Sequence, residues 1–128
     1  MRALLDTHAF LWGNEDPVRL SRQARHVIED PANEIFFSAA SAWEIAIKHA
    51  RGRLDLPEPP DSFIVSRVTR LRLEPLPVEI SHALRAGGLP QLHRDPFDRI
   101  LVAQAQVEGI PILTSDANIA RYDVEVIW

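Results

Sequence analysis

The sequence has no cysteine among its 128 residues. This absence excludes a disulfide framework, a thiolate zinc site and a thiol nucleophile. Long apolar runs are also absent: no stretch approaches the ~20 residues that cross a bilayer. The first apolar residues meet Asp6 too early to form a signal-peptide core. These absences predict a cytoplasmic protein with no membrane association.

An excess of positive charge is missing as well. Fourteen basic residues, thirteen of them arginine, face eighteen acids, and the formal net charge is −4. Nucleic-acid-binding domains usually carry a basic surplus, so net charge alone disfavours such a partner. If four acids surrounded a cation, however, the remaining charges would balance and local arginine patches would be permitted.

The composition itself is that of an ordinary globular protein, with 46% apolar and 25% charged residues. The length predicts one domain spanning residues 1–128.

Apolar runs and segments with helical spacing alternate along the chain. Strands are predicted at 3–5, 34–38, 73–78, 110–114 and 124–128. Helices are predicted at 21–29, 41–50, 61–72, 81–86 and 96–107, with a helical turn at 118–121. This order predicts a three-layer α/β/α fold around a central, mostly parallel sheet of about five strands.

Acidic residues follow most of the predicted strands. Asp6 follows the first strand, Glu44 comes soon after the second, and Asp116 follows the fourth. Asp95 and Asp98 stand at the start of the 96–107 helix. The binding crevice of such a sheet lies beyond the carboxyl ends of its strands, which are ~4.8 Å apart. We therefore expect acids distant in the sequence to share one small space.

Four carboxylates at ~6 Å spacing would repel by roughly 3 kcal/mol per pair at an effective dielectric constant of 20. They must protonate, spread apart or bind a cation. Mg²⁺ and Mn²⁺ prefer carboxylate and water oxygens, whereas zinc favours histidine and cysteine. The histidines show no ligand spacing and are interpreted as surface or core residues. His8, directly beyond Asp6, is also a candidate substrate contact.

Each acid also has an ordinary structural explanation as a helix cap. Single caps would be Asp6 and Asp116, and capping boxes would be Ser41 with Glu44 and Asp95 with Asp98. If capping were their only role, the protein would be a non-catalytic α/β binding module. A phosphatase of the haloacid-dehalogenase type would place a second aspartate two residues after the first, where this chain has His8.

Four motifs give the chain a resemblance to a known family. They are LLDTH at residues 4–8, SAWEIAIK at 41–48, HRDPFDRILVAQA at 93–105 and LTSD at 113–116. In this order, and at this length, they resemble the PIN domain, and in particular the VapC-like toxin ribonucleases of bacterial toxin–antitoxin pairs. The resemblance runs essentially from end to end. It departs from many relatives at His8, where they carry asparagine.

The resemblance implies a metal-dependent endoribonuclease with Mg²⁺ or Mn²⁺ in an acidic pocket. Its catalytic and metal-binding acids are Asp6, Glu44, Asp98 and Asp116, with Asp6 and Asp98 as the principal ligands. Supporting positions fall on Thr7, Asp95, Thr114 and Ser115. The register makes Asp95 the helix cap and Asp98 the ligand. Metal-activated water would attack a phosphodiester in line and leave a 5′-phosphate and a 3′-hydroxyl.

RNA and protein partners are implied by the same resemblance. Candidate substrate contacts are His8, Arg51, Arg53, Arg94 and Arg99. The arginines of the 61–72 helix are interpreted as a solvated face, and Trp12 is either a base platform or a core residue. A cognate antitoxin and a homodimer are expected, with the 61–72 helix as a candidate antitoxin groove. A PIN nuclease that processes RNA without being a toxin is the alternative.

Overall fold

Strand β1 (Arg2–Leu5) lies in the middle of a five-stranded sheet in the computed structural model, which describes all 128 residues. It pairs with β2 (Glu34–Ser38) on one side and β4 (Ile112–Leu113) on the other. Strands β3 (Glu74–Leu76) and β5 (Val126–Ile127) form the edges. All four pairs are parallel, which confirms the predicted sheet. The strand order runs from β1 to β3 in one direction and from β4 to β5 in the other. In parallel sheets a crevice forms where the order reverses, here beyond the carboxyl ends of β1 and β4.

Six α-helices connect the strands. They are α1 (Thr7–Glu15), α2 (Arg22–Glu29), α3 (Ala39–Ala50), α4 (Pro60–Arg70), α5 (Ile80–Gly87) and α6 (Pro96–Glu108). Two short 3-10 turns occupy Pro17–Arg19 and Ile119–Arg121. None of the six has the length and apolar content that a membrane span requires. Helix α1 is absent from the sequence-based prediction, because its apolar residues are consecutive and show no helical period.

The two faces of the sheet pack against separate apolar clusters. On β1, Ala3 and Leu5 join one cluster, which includes Phe10 of α1 and Phe63 of α4. Leu4 points to the other cluster, which includes residues of α6 and the second 3-10 turn. Neighbouring side chains of a strand face opposite sides of a sheet, so each strand supplies both cores. The three-layer prediction is confirmed.

The start of α3 differs from the prediction. The helix begins at Ala39, and the Ser38 hydroxyl caps it by accepting a hydrogen bond from the Ala40 amide. That hydroxyl also donates 2.6 Å to the Gln104 side chain on α6. Glu44 therefore lies in the second turn rather than the first, and the predicted capping box of Ser41 with Glu44 is wrong. Both side chains are thereby free for other partners.

Candidate active site

A threonine hydroxyl joins the acids that follow β1 and β4. Thr114 donates a hydrogen bond of 2.9 Å to Oδ2 of Asp6 and accepts one of 3.0 Å from the amide of Asp116. Asp6 stands at the N-cap position of α1, yet its side chain makes no capping hydrogen bond. Its interpretation as a helix cap is therefore wrong. The carboxylate is buried and faces the crevice between β1 and β4.

Both carboxylate oxygens of Glu44 have hydrogen-bond partners. The Thr7 hydroxyl lies 2.9 Å from Glu44 Oε1 and 2.8 Å from the Ser41 hydroxyl. A hydroxyl has one proton to give, so Thr7 donates to the carboxylate and accepts from Ser41. The ammonium of Lys48, one turn further along α3, contacts Oε2 at 2.5 Å. Lys48 is the only lysine in the chain, and it supplies the positive charge that accompanies Glu44.

Asp95 and Asp98 divide their roles at the start of α6. Oδ1 of Asp95 accepts hydrogen bonds from the amides of Phe97 and Asp98, which makes it the N-cap. Oδ2 of Asp98 instead lies 2.9 Å from Nε2 of His93. One ligand atom from each of His93, Asp95 and Asp98 lies within 4.8 Å of the others. The helix cap leaves the Asp98 carboxylate available, as the register predicts.

The electrostatics of Asp6 show that the acids share one space. Burial raises the pKa of Asp6, the Thr114 hydroxyl and the charge of His8 lower it, and the carboxylates of Asp116 and Glu44 raise it again. The net effect is an upward shift. Acids from β1, α3 and the β4 loop therefore act on one another across the crevice.

Asp98 completes this acidic pocket. Burial raises its pKa to about 7, although the hydrogen bond to His93 opposes the change. The carboxylates of Asp95, Asp6 and Asp116 contribute to the same rise. Burial is the main cost of ionising this carboxyl, and the neighbouring acids add to that cost. A cation among these carboxylates would favour their ionised forms.

The donor set fits a hard divalent cation. The pocket offers buried carboxylate oxygens from Asp6, Glu44 and Asp98, with Asp116 at its rim and no sulfur ligand. Oxygen donors of this kind suit Mg²⁺ and Mn²⁺. Hydroxyl and ammonium groups already orient the carboxylates, as the outer partners of metal ligands do.

Several predicted substrate contacts lie away from the pocket. Arg51 is the C-cap of α3, about 10 Å further along the helix axis than Glu44. Arg53 follows it and is exposed. Helix α3 starts at the crevice and carries both residues away from it, so their role as substrate contacts stays a prediction. Ser115, Arg94 and His8 are all exposed. Arg94 directly follows His93, and His8 is two residues after Asp6.

Arg99 has a structural environment. Its guanidinium donates hydrogen bonds to the backbone carbonyls of Ala86, Leu89 and Pro90 and to the Tyr122 hydroxyl. These contacts tie α6 to the end of α5 and the loop after it. Arg99 therefore uses its donors inside the protein rather than on a phosphate.

Sequence reasoning missed three side chains of the pocket. The sequence places His93 among surface or core residues, but its position five residues before Asp98 allows contact because the segment before α6 is not helical. Lys48 was detectable from its spacing, since residues four apart on a helix are neighbours. Ser41 resembles a cap in the sequence, and only the tertiary contact with Thr7 reveals its role.

Comparison with known proteins agrees with this geometry. Residues 3–125 match the family model described as the PIN domain. Ribonuclease VapC22 of Mycobacterium tuberculosis (strain ATCC 25618 / H37Rv) is 32% identical over 120 residues, which cover 93% of this chain and 90% of that protein. Ribonuclease VapC16 of the same organism is 43% identical over 70 residues, 53% of this chain and 50% of that protein. The alignment with VapC16 thus spans half of that relative's length.

The fold matches a solved complex. VapBC2 from Rickettsia felis, bound to a DNA fragment from the promoter of the pair, has a chain that superposes with a TM-score of 0.72. The match covers 99% of this chain and 98% of that chain at 16% sequence identity. At this identity the likeness concerns the fold alone.

Proposed function

The chain belongs to the PIN-domain family, and we propose that it is a metal-dependent endoribonuclease of the VapC type, the toxic component of a type II toxin–antitoxin pair. One observation supports this most strongly. Acids from four separate segments meet in one buried pocket where Asp6 and Asp98 both have raised pKa values. Carboxylate oxygens gathered in this way suit a hard divalent cation.

Asp6 and Asp98 would hold the cation, Mg²⁺ or Mn²⁺, with Glu44 and Asp116 orienting water around it. When bound, such an ion makes a coordinated water more acidic and neutralises charge on a phosphoryl oxygen. The chain positions these acids through the hydroxyls of Thr114 and Thr7, whose hydrogen bonds fix Asp6 and Glu44. No cysteine is available for covalent catalysis. Attack by water that expels the 3′ oxygen would leave a 5′-phosphate and a 3′-hydroxyl, the products that the resemblance to PIN nucleases implies.

A total RNA digest tests the reaction. Partner-free protein would be incubated with cellular RNA in Mg²⁺, in Mn²⁺ and in chelator, and the new 5′ ends would be mapped. We expect discrete cleavage only with the metals. Asp98→Asn should abolish it, while Asp55→Asn, an exposed acid outside the pocket, should not. Intact RNA with the unmodified protein, or full activity of Asp98→Asn, would contradict the proposal.

The toxic role needs a cellular test. Expression of the chain in the cytoplasm, where RNA is accessible, should arrest cell growth. Co-expression of the small protein encoded beside it should restore growth. Active cleavage without growth arrest would instead indicate an RNA-processing PIN nuclease. The VapBC2 complex of Rickettsia felis provides the precedent for a VapC-like chain bound to a partner.

Two apolar surfaces support the expected partners. An apolar groove of about 460 Å³ runs between α3, α4 and β3, with Val65 exposed on α4. We assign it to the antitoxin. A second apolar groove is lined by Trp43, Val78 and Phe97, and we assign it to the homodimer. Trp43→Glu should give monomers by light scattering, whereas Val65→Glu should keep the dimer and lose rescue by the antitoxin.

A further inference from the structure

Four side chains form a layered cluster beside the acidic pocket. The indole of Trp12 packs on the core cluster from one side, and the guanidinium of Arg19 lies over its ring at 4.4 Å from the centroid. The rings of His8 and Trp128 each lie 5.9 Å from that of Trp12. We call His8, Trp12, Arg19 and Trp128 the stacking platform.

The platform borders the pocket. His8 is two residues from Asp6, close enough for its charge to lower the pKa of that carboxyl. Trp128 directly follows β5, whose carboxyl end lies at the same edge of the parallel sheet. The platform therefore extends from the rim of the acidic pocket along α1, within reach of a nucleotide next to a phosphodiester held there.

The outer members of the platform are exposed. Arg19 and His8 are exposed, and neither is in an ion pair. The Arg19 guanidinium thus has an aromatic ring on one face and solvent on the other, and its N–H groups are free to bind an anion. An arginine needed only for folding would be expected to use its donors inside the protein, as Arg99 does.

We propose that the stacking platform binds an unpaired nucleobase adjacent to the cleaved phosphodiester, with the base on the exposed faces of Arg19 and His8. This rests on the proposed ribonuclease function and specifies its substrate as single-stranded RNA. Recognition of single strands relies on bases stacked against aromatic rings or guanidinium planes. The chain has a net charge of −4, so stacking supplies affinity for RNA that net charge does not.

Binding measurements in an inactive background test the platform. Asp98→Asn protein would be titrated into a fluorescein-labelled single-stranded RNA, and anisotropy followed. Adding Arg19→Ala or His8→Ala should weaken binding about ten-fold, the loss expected for a stacked base. Arg70→Ala is the matched control, because it removes the same charge beside the amino end of β2. An equal effect of Arg19→Ala and Arg70→Ala would overturn the platform.

Two further measurements separate stacking from charge. Arg19→Lys keeps the charge without the plane and should bind nearly as weakly as Arg19→Ala. An RNA series with one abasic site moved along the strand should contain a position at which Arg19→Ala no longer matters. Full binding by Arg19→Lys, or no such position, would overturn the proposal. RNA cleavage by the unmodified protein, measured separately, shows whether the ribonuclease function stands if the platform fails.

Discussion

His93 Nε2 and Asp98 Oδ2 lie 2.9 Å apart, so a histidine accompanies the carboxyl whose pKa burial raises to about 7. The hydrogen bond favours the ionised carboxylate, and burial with three neighbouring acids favours the neutral one. Burial prevails in the metal-free protein. A cation in the pocket would reverse this balance, which makes Asp98 a sensitive reporter of metal binding.

The stability of the metal-free protein should depend on pH through Asp98. The ordinary pKa of an aspartate side chain is 3.8, whereas the pKa of Asp98 in the folded chain is about 7. Between these values the folded chain keeps a proton that the unfolded chain has released, so stability falls as pH rises from about 4 to 7. Asp6 shifts in the same direction. Thermal melting in chelator should show this decline, and Asp98→Asn should reduce it. A flat profile would contradict the assignment.

Replacing His93 should alter the pH dependence of metal binding. His93→Ala removes the hydrogen bond that opposes burial, so the pKa of Asp98 rises further. Protons then compete with Mn²⁺ up to a higher pH, and the pH of half-maximal binding should increase. Calorimetric titration across pH measures it. His26→Ala, at an exposed position, is the control and should leave the profile unchanged.

Lys48 should stabilise the empty pocket. Lys48→Met leaves the buried Glu44 without its cation, and we expect a loss of about 1–3 kcal/mol in the free energy of unfolding in chelator. Mn²⁺ should restore most of it and bind several-fold more tightly, because its competitor for Glu44 is gone. Denaturation with and without Mn²⁺ checks both effects. Lys48→Arg keeps the charge and should behave closer to the unmodified chain.

Thr114 should affect metal affinity more than stability. Thr114→Val keeps the shape but removes the donor to Asp6 and the acceptor for the Asp116 amide. Loss of such a supporting partner typically weakens metal binding by about 10–100-fold. Thr114→Ser retains the hydroxyl and should bind Mn²⁺ nearly as well as the unmodified chain. Equal affinities of the valine and serine variants would show that the hydroxyl does not orient the site.

The fold was largely predictable because the apolar pattern changes period at most element boundaries. The exceptions have local causes. Helix α1 carries its apolar residues consecutively, so the pattern does not separate it from β1. For α3 the pattern indicates a start at Ser41, although Ser38 is the cap. Ser38 is favoured by its hydrogen bond to Gln104, a residue 66 positions away that the local sequence pattern does not reveal.

The acids of the site were predictable because a parallel sheet collects the residues that follow its strands at one edge. Their partners were less so. A long side chain can reach several tertiary neighbours, and the sequence does not say which one it contacts. Arg99 is an example, because it donates to backbone carbonyls where the sequence suggests a phosphate contact. The roles of Thr7 and Ser41 depend on a contact between two helices whose relative placement no local rule supplies.

The Thr114–Asp6 hydrogen bond has a consequence for synthesis of the chain. Its two ends are 108 positions apart, and β4 must pair with β1 before it forms. A nascent chain on the ribosome therefore has no assembled pocket until residue 116 has left the exit tunnel. If the chain cuts RNA, the messenger and ribosome that produce it are spared from attack until that point.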